Sequence, residues 1–135
     1  MKTKKNWVVF FIWILAFIFL ANPIFAVSLS DLRIIASDGT FLGTFENEYS
    51  QNCIYNKYGK YGSKYNSNCI LNKYDKYGDD YSNTSPFNRY ANAAPGLYDR
   101  NGSFYGTLSI NRYASGVTQY SYNLAIQLKA YRDSQ

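Results

Sequence analysis

A 16-residue repeat in the middle of the 135-residue chain constrains its fold more than any other feature. The first copy, NCIYNKYGKYGSKYNS, spans 52–67, and the second, NCILNKYDKYGDDYSN, spans 68–83. A third copy begins at 84 as TSPFNRYANAAP and then loses the pattern. The copies agree position by position. In each, a triplet (CIY, CIL or SPF) is followed by Asn, a basic residue and Tyr. A fixed period of this kind indicates several copies of one small structural unit.

The composition of the unit predicts turns rather than regular elements. Each copy is too short for a pair of helices and too rich in Gly, Asn and Ser for a long strand. We expect a compact irregular coil that is ordered by stacked tyrosines and by asparagine side chains that cap turns through the backbone. Stacked copies would bury faces that a single copy cannot bury.

Two similar hairpin patterns flank the repeats. The strings DGTFLGTF, at 38–45, and NGSFYGTL, at 101–108, follow β-rich runs. Asp-Gly and Asn-Gly between such runs predict tight turns in which both residues have positive φ. We expect two equivalent hairpins that pair or pack together. Gly43 and Gly106, in mid-strand, predict bulges or close backbone contacts.

The C-terminal stretch fits two periodicities. Leu124, Ile126 and Leu128 alternate as in a strand, whereas Tyr120, Leu124, Leu128 and Tyr131 share one helical face. The Ala and Gln content favours a short helix. We therefore predict a small, mainly-β protein with a C-terminal helix, in which two β-hairpins flank a Tyr/Asn-rich repeat segment. Its single domain, 27–135, comprises a hairpin at 32–49, repeats at 50–94, a hairpin at 95–113 and a helix at 119–132.

The N-terminus has the three-part pattern of a secretory signal peptide over residues 1–26. Lysines at 2, 4 and 5 precede an apolar run from Trp7 to Ala21, and Pro23 breaks the helix before Ala26. The alternative is an uncleaved anchor, but a stable span needs about 20 apolar residues. We expect a secreted or extracytoplasmic protein that meets the membrane only through this segment.

Charge and composition narrow the classes of function. Three of the 14 basic side chains lie in residues 1–26, which hold no acid, so 11 basic and 9 acidic side chains remain. A chain with nearly equal numbers of basic and acidic side chains is not expected to have the concentrated basic surface that nucleic-acid binding needs. Histidine is absent, which removes His general bases, His-activated nucleophiles and His metal ligands. We predict no cofactor and no metal site.

Both cysteines, Cys53 and Cys69, occupy the same column of the repeat. In an exported chain an even number of cysteines favours a disulfide, and closing this loop would stabilise the fold by roughly 3 kcal/mol. The alternative is two free thiols, which Ser85 in the third copy supports. We favour the disulfide.

The string YGKYGSKYNSNCILN at 58–72, with FNRYAN at 87–92 and NGSFYGTL, resembles small exported bacterial proteins that carry tandem 16-residue Asn/Tyr/Gly-rich repeats. The likeness covers roughly residues 33–113. This chain has Lys57, Lys73 and Arg89 where those units have Pro, and Cys53 and Cys69 where they have Ser. The resemblance implies bacterial export and a repeat architecture, without an activity.

Two acidic groups are candidates for chemistry. Asp75, Asp79 and Asp80 could ligate Ca²⁺, but their spacing does not match an EF-hand loop, and a solvated acidic turn is the favoured interpretation. Glu46 and Glu48 could join those aspartates in a carboxylate pair for glycoside hydrolysis. Nothing in the sequence places them in one cleft.

Aromatic and cationic side chains recur together in the repeat. One interpretation is a binding surface that stacks on sugars or holds anionic envelope polymers. The other, which we favour, makes the tyrosines the core of the repeat and turns the cations to solvent. The residues concerned are Lys57, Tyr58, Lys73, Tyr74, Arg89 and Tyr90.

The sequence therefore predicts an exported, non-enzymatic protein that acts by binding or structural association. Its expected partner is a cell-envelope polymer or another protein, and not nucleic acid. The alternatives are a secreted carboxylate-dependent enzyme and a secreted effector or inhibitor, which would expose a large apolar patch.

Overall fold

The computed structural model describes residues 27–135, and the predicted signal peptide lies outside the described residues. Four short strands and one helix are joined by a long segment of turns, which confirms the predicted mainly-β fold with its C-terminal helix. The elements are a 3-10 helix at Leu29–Asp31, β1 at Arg33–Ile35, β2 at Phe41–Thr44, β3 at Gly96–Tyr98, β4 at Phe104–Thr107 and α1 at Gln119–Asp133.

The strands form one antiparallel sheet in the order β2-β1-β3-β4. The two predicted hairpins are therefore present, and they pair with each other through their first strands, with Ile34 opposite Leu97. Each hairpin contains a register shift beside the glycine of its second strand. Gly43 and Gly106 have φ of +117° and +127° there, so the predicted bulges are confirmed.

The hairpin turns differ from the prediction in their backbone conformation. Gly39 and Gly102 have φ of +88° and +84°, but no non-glycine residue in 27–135 has positive φ. In the first turn the Gly39 N–H donates to the Ala36 carbonyl, and the Ala36 N–H donates to the Thr40 carbonyl. This is the longer connection in which glycine alone takes the left-handed conformation. The expectation of two positive-φ residues in each turn was wrong.

Residues 47–91, here the turn segment, contain neither helix nor strand. A backbone hydrogen bond closes a turn at nearly every third residue, as from Asn56 N–H to Cys53 O. Five such turns use 15 of the 16 residues in a copy. The extra residue is accommodated where Ser63 and Asp79 donate to carbonyls four residues earlier instead of three. The repeat length therefore follows from five turns plus one residue.

Glycine is required where the extra residue enters each copy. A Cβ built on Gly62 would lie 1.9 Å from the Asn56 carbonyl oxygen, and one on Gly78 would lie 2.1 Å from that of Asn72. No side chain fits at these distances. The third copy has Ala94 in this column, where the chain leaves the turns and enters β3.

One core joins the sheet, the turn segment and α1. The helix is capped by Thr118, whose hydroxyl accepts from the Ser121 N–H in a capping box, and its presence confirms the helical interpretation over the strand. In the part of the chain that the structure describes, no helix is long and apolar enough to cross a membrane. The core side chains include Leu32, Ile34, Leu42, Ile54, Ile70, Leu71, Phe87, Leu97, Leu108, Leu124, Ala125 and Leu128.

The cysteines are separate buried thiols, so the predicted disulfide was wrong. Cys53 Sγ donates to the Glu46 carbonyl at 3.0 Å, and burial raises the pKa of the Cys69 thiol to about 11. The same column holds Ser85, whose Oγ accepts from the Phe87 N–H at 3.1 Å. Cys53 Sγ likewise accepts from the Tyr55 N–H, so the position takes a small buried side chain that closes a turn, and Cys and Ser both meet that need.

Candidate functional site

The tyrosines of the repeat divide into an inner and an outer set. Tyr77 is only 1% exposed and its hydroxyl donates to Asp38 Oδ2 at 3.1 Å; Tyr61 is its half-buried equivalent in the first copy. Tyr58, Tyr74 and Tyr90 are instead 78% to 99% exposed. The favoured interpretation of these three as the core of the repeat was therefore wrong.

The outer tyrosines share one local structure, here called the polar–charged–Tyr turn. Its first residue is Asn, Asp or Ser, its second is charged, and its third is a tyrosine with 78% to 99% exposure. The side-chain oxygen of the first residue accepts the backbone N–H of the tyrosine at 2.6 to 3.5 Å. The seven tyrosines are Tyr49, Tyr58, Tyr65, Tyr74, Tyr81, Tyr90 and Tyr113.

Three asparagines hold these turns with both ends of the carboxamide. In Asn56, Asn72 and Asn88, Oδ1 accepts from the tyrosine N–H at 2.9 to 3.1 Å. Nδ2 donates to the carbonyl six residues earlier at 3.0 to 3.1 Å. All three side chains are buried. The predicted capping of turns by asparagine is confirmed, and it fixes the backbone beneath each exposed ring.

The last of the seven turns lies after β4. The string NRYA at 88–91 recurs at 111–114, and Asn111 Oδ1 accepts from the Tyr113 N–H at 3.2 Å. Asn111 Nδ2 donates to the Ala91 carbonyl, which joins the two strings. The recurrence was available in the sequence as a signal for this turn.

Three open cavities lie side by side between successive outer tyrosines. Their volumes are about 390, 600 and 280 Å³. The first lies between Tyr49 and Tyr58, the second between Tyr58 and Tyr65, and the third between Tyr65 and Tyr74. Neighbouring cavities share lining residues, so they form a single row, here called the tyrosine groove.

The C-terminal end of α1 forms the opposite wall of the groove. Tyr131 lines the first two cavities and packs edge-on against Tyr55, with ring centroids 5.1 Å apart. Leu71 lines the second and third cavities. The groove therefore lies between the repeat and α1, and its lining includes the apolar side chain of Leu71.

Arg132 fixes that wall to the repeat. Its guanidinium is 1% exposed, lies 2.7 Å from Asp80 Oδ1, donates to the Gly78 carbonyl and stacks over the Phe87 ring at 4.6 Å. Burial alone would raise the pKa of Asp80, but the hydrogen bond and charge of Arg132 lower it below its usual value. Sequence reasoning gave no sign of this contact.

The groove carries more positive than negative side chains. Lys57, Lys64 and Lys73 line it, whereas Glu48 is the acidic side chain among the lining residues. Lys73 Nζ lies 3.6 Å from Asp133. Lys57 and Lys64 make no ion pair within residues 27–135, and Lys64 Nζ lies 5.6 Å from the Tyr65 ring centroid.

The structure brings together four of the six residues predicted for a binding surface. Lys57 and Tyr58 line the first two cavities, and Lys73 and Tyr74 line the third. Arg89 and Tyr90 are exposed but line none of the three. Sequence reasoning missed Lys64 and Tyr65, although a tyrosine seven residues after Tyr58, and again seven residues after Tyr74, marks that position in the first two copies.

Three of the five acidic candidates for chemistry have structural partners. Asp79 accepts the Tyr81 N–H, and Asp80 pairs with Arg132 and Lys129. Glu46 accepts from the Ser50 hydroxyl at 2.6 Å and lies 3.6 Å from Arg100. Across 27–135, no three His, Cys, Asp or Glu side chains gather in a way that could hold a metal ion.

Comparisons with protein-family models, with curated proteins and with solved structures give no match.

Proposed function

We propose that the chain is an exported protein that acts by binding, at the cell envelope or outside the cell, through its outer tyrosines, and that it is not an enzyme. The observation that carries the proposal is the sevenfold use of one turn that leaves a tyrosine at least 78% exposed. Burying seven rings in the fold would stabilise it, so their exposure on the same turn favours a role outside the fold.

The rigidity of these turns supports binding. A tyrosine has few rotatable bonds and offers a large amphipathic contact area, so it loses little conformational entropy when a partner covers it. In the polar–charged–Tyr turn the backbone is already fixed by a hydrogen bond. The backbone that carries the outer tyrosines is thus ordered before a partner arrives.

The two alternatives have less support. A carboxylate-dependent hydrolase needs two carboxyl groups facing one substrate, whereas Glu46 is engaged with Ser50 and Arg100. An effector or inhibitor that docks through an apolar patch would expose aliphatic side chains, whereas the outer residues here carry hydroxyl groups.

The test is fractionation of cells expressing the full chain, followed by sedimentation of the protein with isolated envelopes. The variant replaces all seven outer tyrosines by Ser, which preserves the turns because their hydrogen bonds use the backbone N–H. We expect the wild type to reach the extracytoplasmic fraction and sediment with the envelope, and the variant to be exported but to remain in solution.

Ile126→Ser is the control, since Ile126 is an exposed apolar residue of α1 outside the groove. It should sediment like the wild type. Retention of the wild type in the cytosol, or sedimentation of the seven-serine variant to the same extent as the wild type, would refute the proposal.

A further inference from the structure

We infer that the tyrosine groove binds a linear acidic polysaccharide, with sugar rings against Tyr58 and Tyr65 and carboxylates near Lys57 and Lys64. This inference rests on the proposed binding function and specifies its ligand. The first argument is shape: three cavities in a row, separated by two tyrosine rings, match a chain of similar units better than one compact molecule.

The second argument is size. The cavities of about 390 and 600 Å³ fall within the range of small-molecule sites, and the third, about 280 Å³, lies just below it. Each could take one or two sugar units while the polymer continues into the next. The openness of the row to solvent suits a ligand whose chain extends beyond the contact.

The third argument is charge. Lys57 and Lys64 alternate with Tyr58 and Tyr65 and have no carboxylate partner within residues 27–135. A compact ammonium on a flexible stem pairs with a single carboxylate without demanding one geometry. A negative charge on every unit of the ligand would therefore meet a lysine in successive cavities.

The tyrosine rings favour sugar over other anionic polymers. A ring face packs on the apolar face of a sugar while the phenol hydroxyl reaches a sugar hydroxyl. Single-stranded nucleic acid also stacks on aromatic rings, but its sites track the backbone with a concentrated positive groove. Here 11 basic and 9 acidic side chains follow residue 26, and Glu48 itself lines the groove.

The test is calorimetric titration of the purified full chain with oligogalacturonates, and with the same oligomers after methyl esterification. Esterification removes the charge but keeps the rings. We expect hexamer to bind more tightly than trimer, because successive cavities are engaged together, and esterification to weaken binding at least about tenfold.

Two pairs of substitutions locate the site. The groove pair, Tyr58→Ser with Tyr65→Ser, should weaken hexamer binding at least about tenfold. The matched pair, Tyr90→Ser with Tyr113→Ser, removes the same residue from the same turn outside the groove and should change binding less than about twofold. Lys57→Gln with Lys64→Gln should remove the preference for the acid over the ester.

Several outcomes would overturn the inference. They are equal binding of acid and ester, equal loss from the two tyrosine pairs, and tighter binding of oligothymidylate or polyphosphate than of the acidic hexamer. If the titrations give one of these outcomes but envelope binding still requires the seven outer tyrosines, the proposed function stands and its ligand is not an acidic polysaccharide. Loss of envelope binding in the wild type would remove the proposed function itself.

Discussion

At the scale of single residues, the polar–charged–Tyr turn separates structural from variable positions. The first residue makes the turn through its side chain, and the third is fixed through its backbone N–H alone. The middle residue carries either sign, as in Glu48, Lys64 and Asp80. The fold therefore constrains the first position and leaves the ring free to be selected by a partner, whereas the charge of the middle residue is used within the fold at Asp80, which pairs with Arg132.

Asn72→Asp tests the structural position. The change keeps the acceptor for the Tyr74 N–H but removes the donor to the Asn66 carbonyl, 3.1 Å away, and places a carboxylate beside that oxygen. Because the site is buried, we expect a loss of about 1–3 kcal/mol in the free energy of unfolding at pH 7. Urea denaturation measures it.

Asn66→Asp is the matched control, since Asn66 Nδ2 donates to the Lys60 carbonyl but the residue is exposed. Water can replace the lost donor there, so the destabilisation should be smaller. Equal losses at the two sites would show that burial of the carboxamide does not matter.

At the scale of elements, local signals explain what the sequence predicts well. Asp-Gly and Asn-Gly turns and a face of Leu124, Leu128 and Tyr131 are set by neighbouring residues, so both hairpins and α1 can be predicted. The inner and outer tyrosines cannot be told apart this way. Whether a tyrosine of the turn segment is buried or exposed depends on where the extra residue of each copy enters, at Gly62 and Gly78. It also depends on which turns face the sheet.

The groove was only partly predictable for the same reason. One wall is a sequence repeat, and it places Lys57 and Tyr58 in the same row as Lys73 and Tyr74. The other wall is the end of α1, held by Arg132, and nothing in the local pattern connects position 132 with Gly78 and Asp80. Such a contact between distant segments is visible only in the folded chain.

The anchor of α1 predicts acid sensitivity. Burial opposes ionisation of Asp80 and Asp133, but Arg132 and Lys129 lower both pKa values below their usual range. A carboxyl whose pKa is lower in the folded state stabilises the fold fully above its unfolded pKa of about 4, and this contribution is lost as the pH falls through the folded pKa. Stability should therefore decline below about pH 4.

Arg132→Met tests this contribution. The free energy of unfolding of the variant should be about 1–3 kcal/mol lower at pH 7, since the buried Gly78 carbonyl loses its donor. This free energy should also fall less steeply with pH in acid than that of the wild type. Lys129→Gln removes a more exposed partner of Asp80 and should cost at most about 1 kcal/mol. Urea midpoints between pH 6 and pH 2 give the comparison.

A background of acid sensitivity will remain in both variants. The Thr40 hydrogen bonds lower the pKa of Asp38, and the Ser103 N–H lowers that of Asp99. The contribution of Arg132 is thus the difference between the wild type and Arg132→Met in how far the urea midpoint falls from pH 6 to pH 2. If the urea midpoint of Arg132→Met falls with pH as steeply as that of the wild type, Arg132 makes no such contribution.

At the scale of the whole molecule, a segment without helix or strand supplies much of the core. The turn segment contributes Ile54, Ile70 and Phe87 to the cluster that also includes sheet and helix residues. Its amides are bonded at nearly every third residue. We therefore expect this segment to open only when the whole domain unfolds.

Trypsin provides the measurement. Lys57, Lys64 and Lys73 are exposed, yet cleavage after them needs an extended backbone, so their cutting in the full chain should follow global unfolding. In Gly78→Ala, whose Cβ would lie 2.1 Å from the Asn72 carbonyl, mass spectrometry should find cuts after Lys73 and Lys76 first. Rapid cleavage after Lys57 in the wild type would contradict the expectation.

The pairing of β1 with β3 has a consequence for how such a molecule could be assembled. Antiparallel pairing of two like hairpins places an approximate twofold axis between their first strands, and each hairpin is followed by a polar–charged–Tyr turn, at 47–49 and at 111–113. This is the geometry of a dimer of two short chains fused into one. Within that plan, one half carries the lengthened string of turns that bears the groove, and the other half carries the helix that closes it.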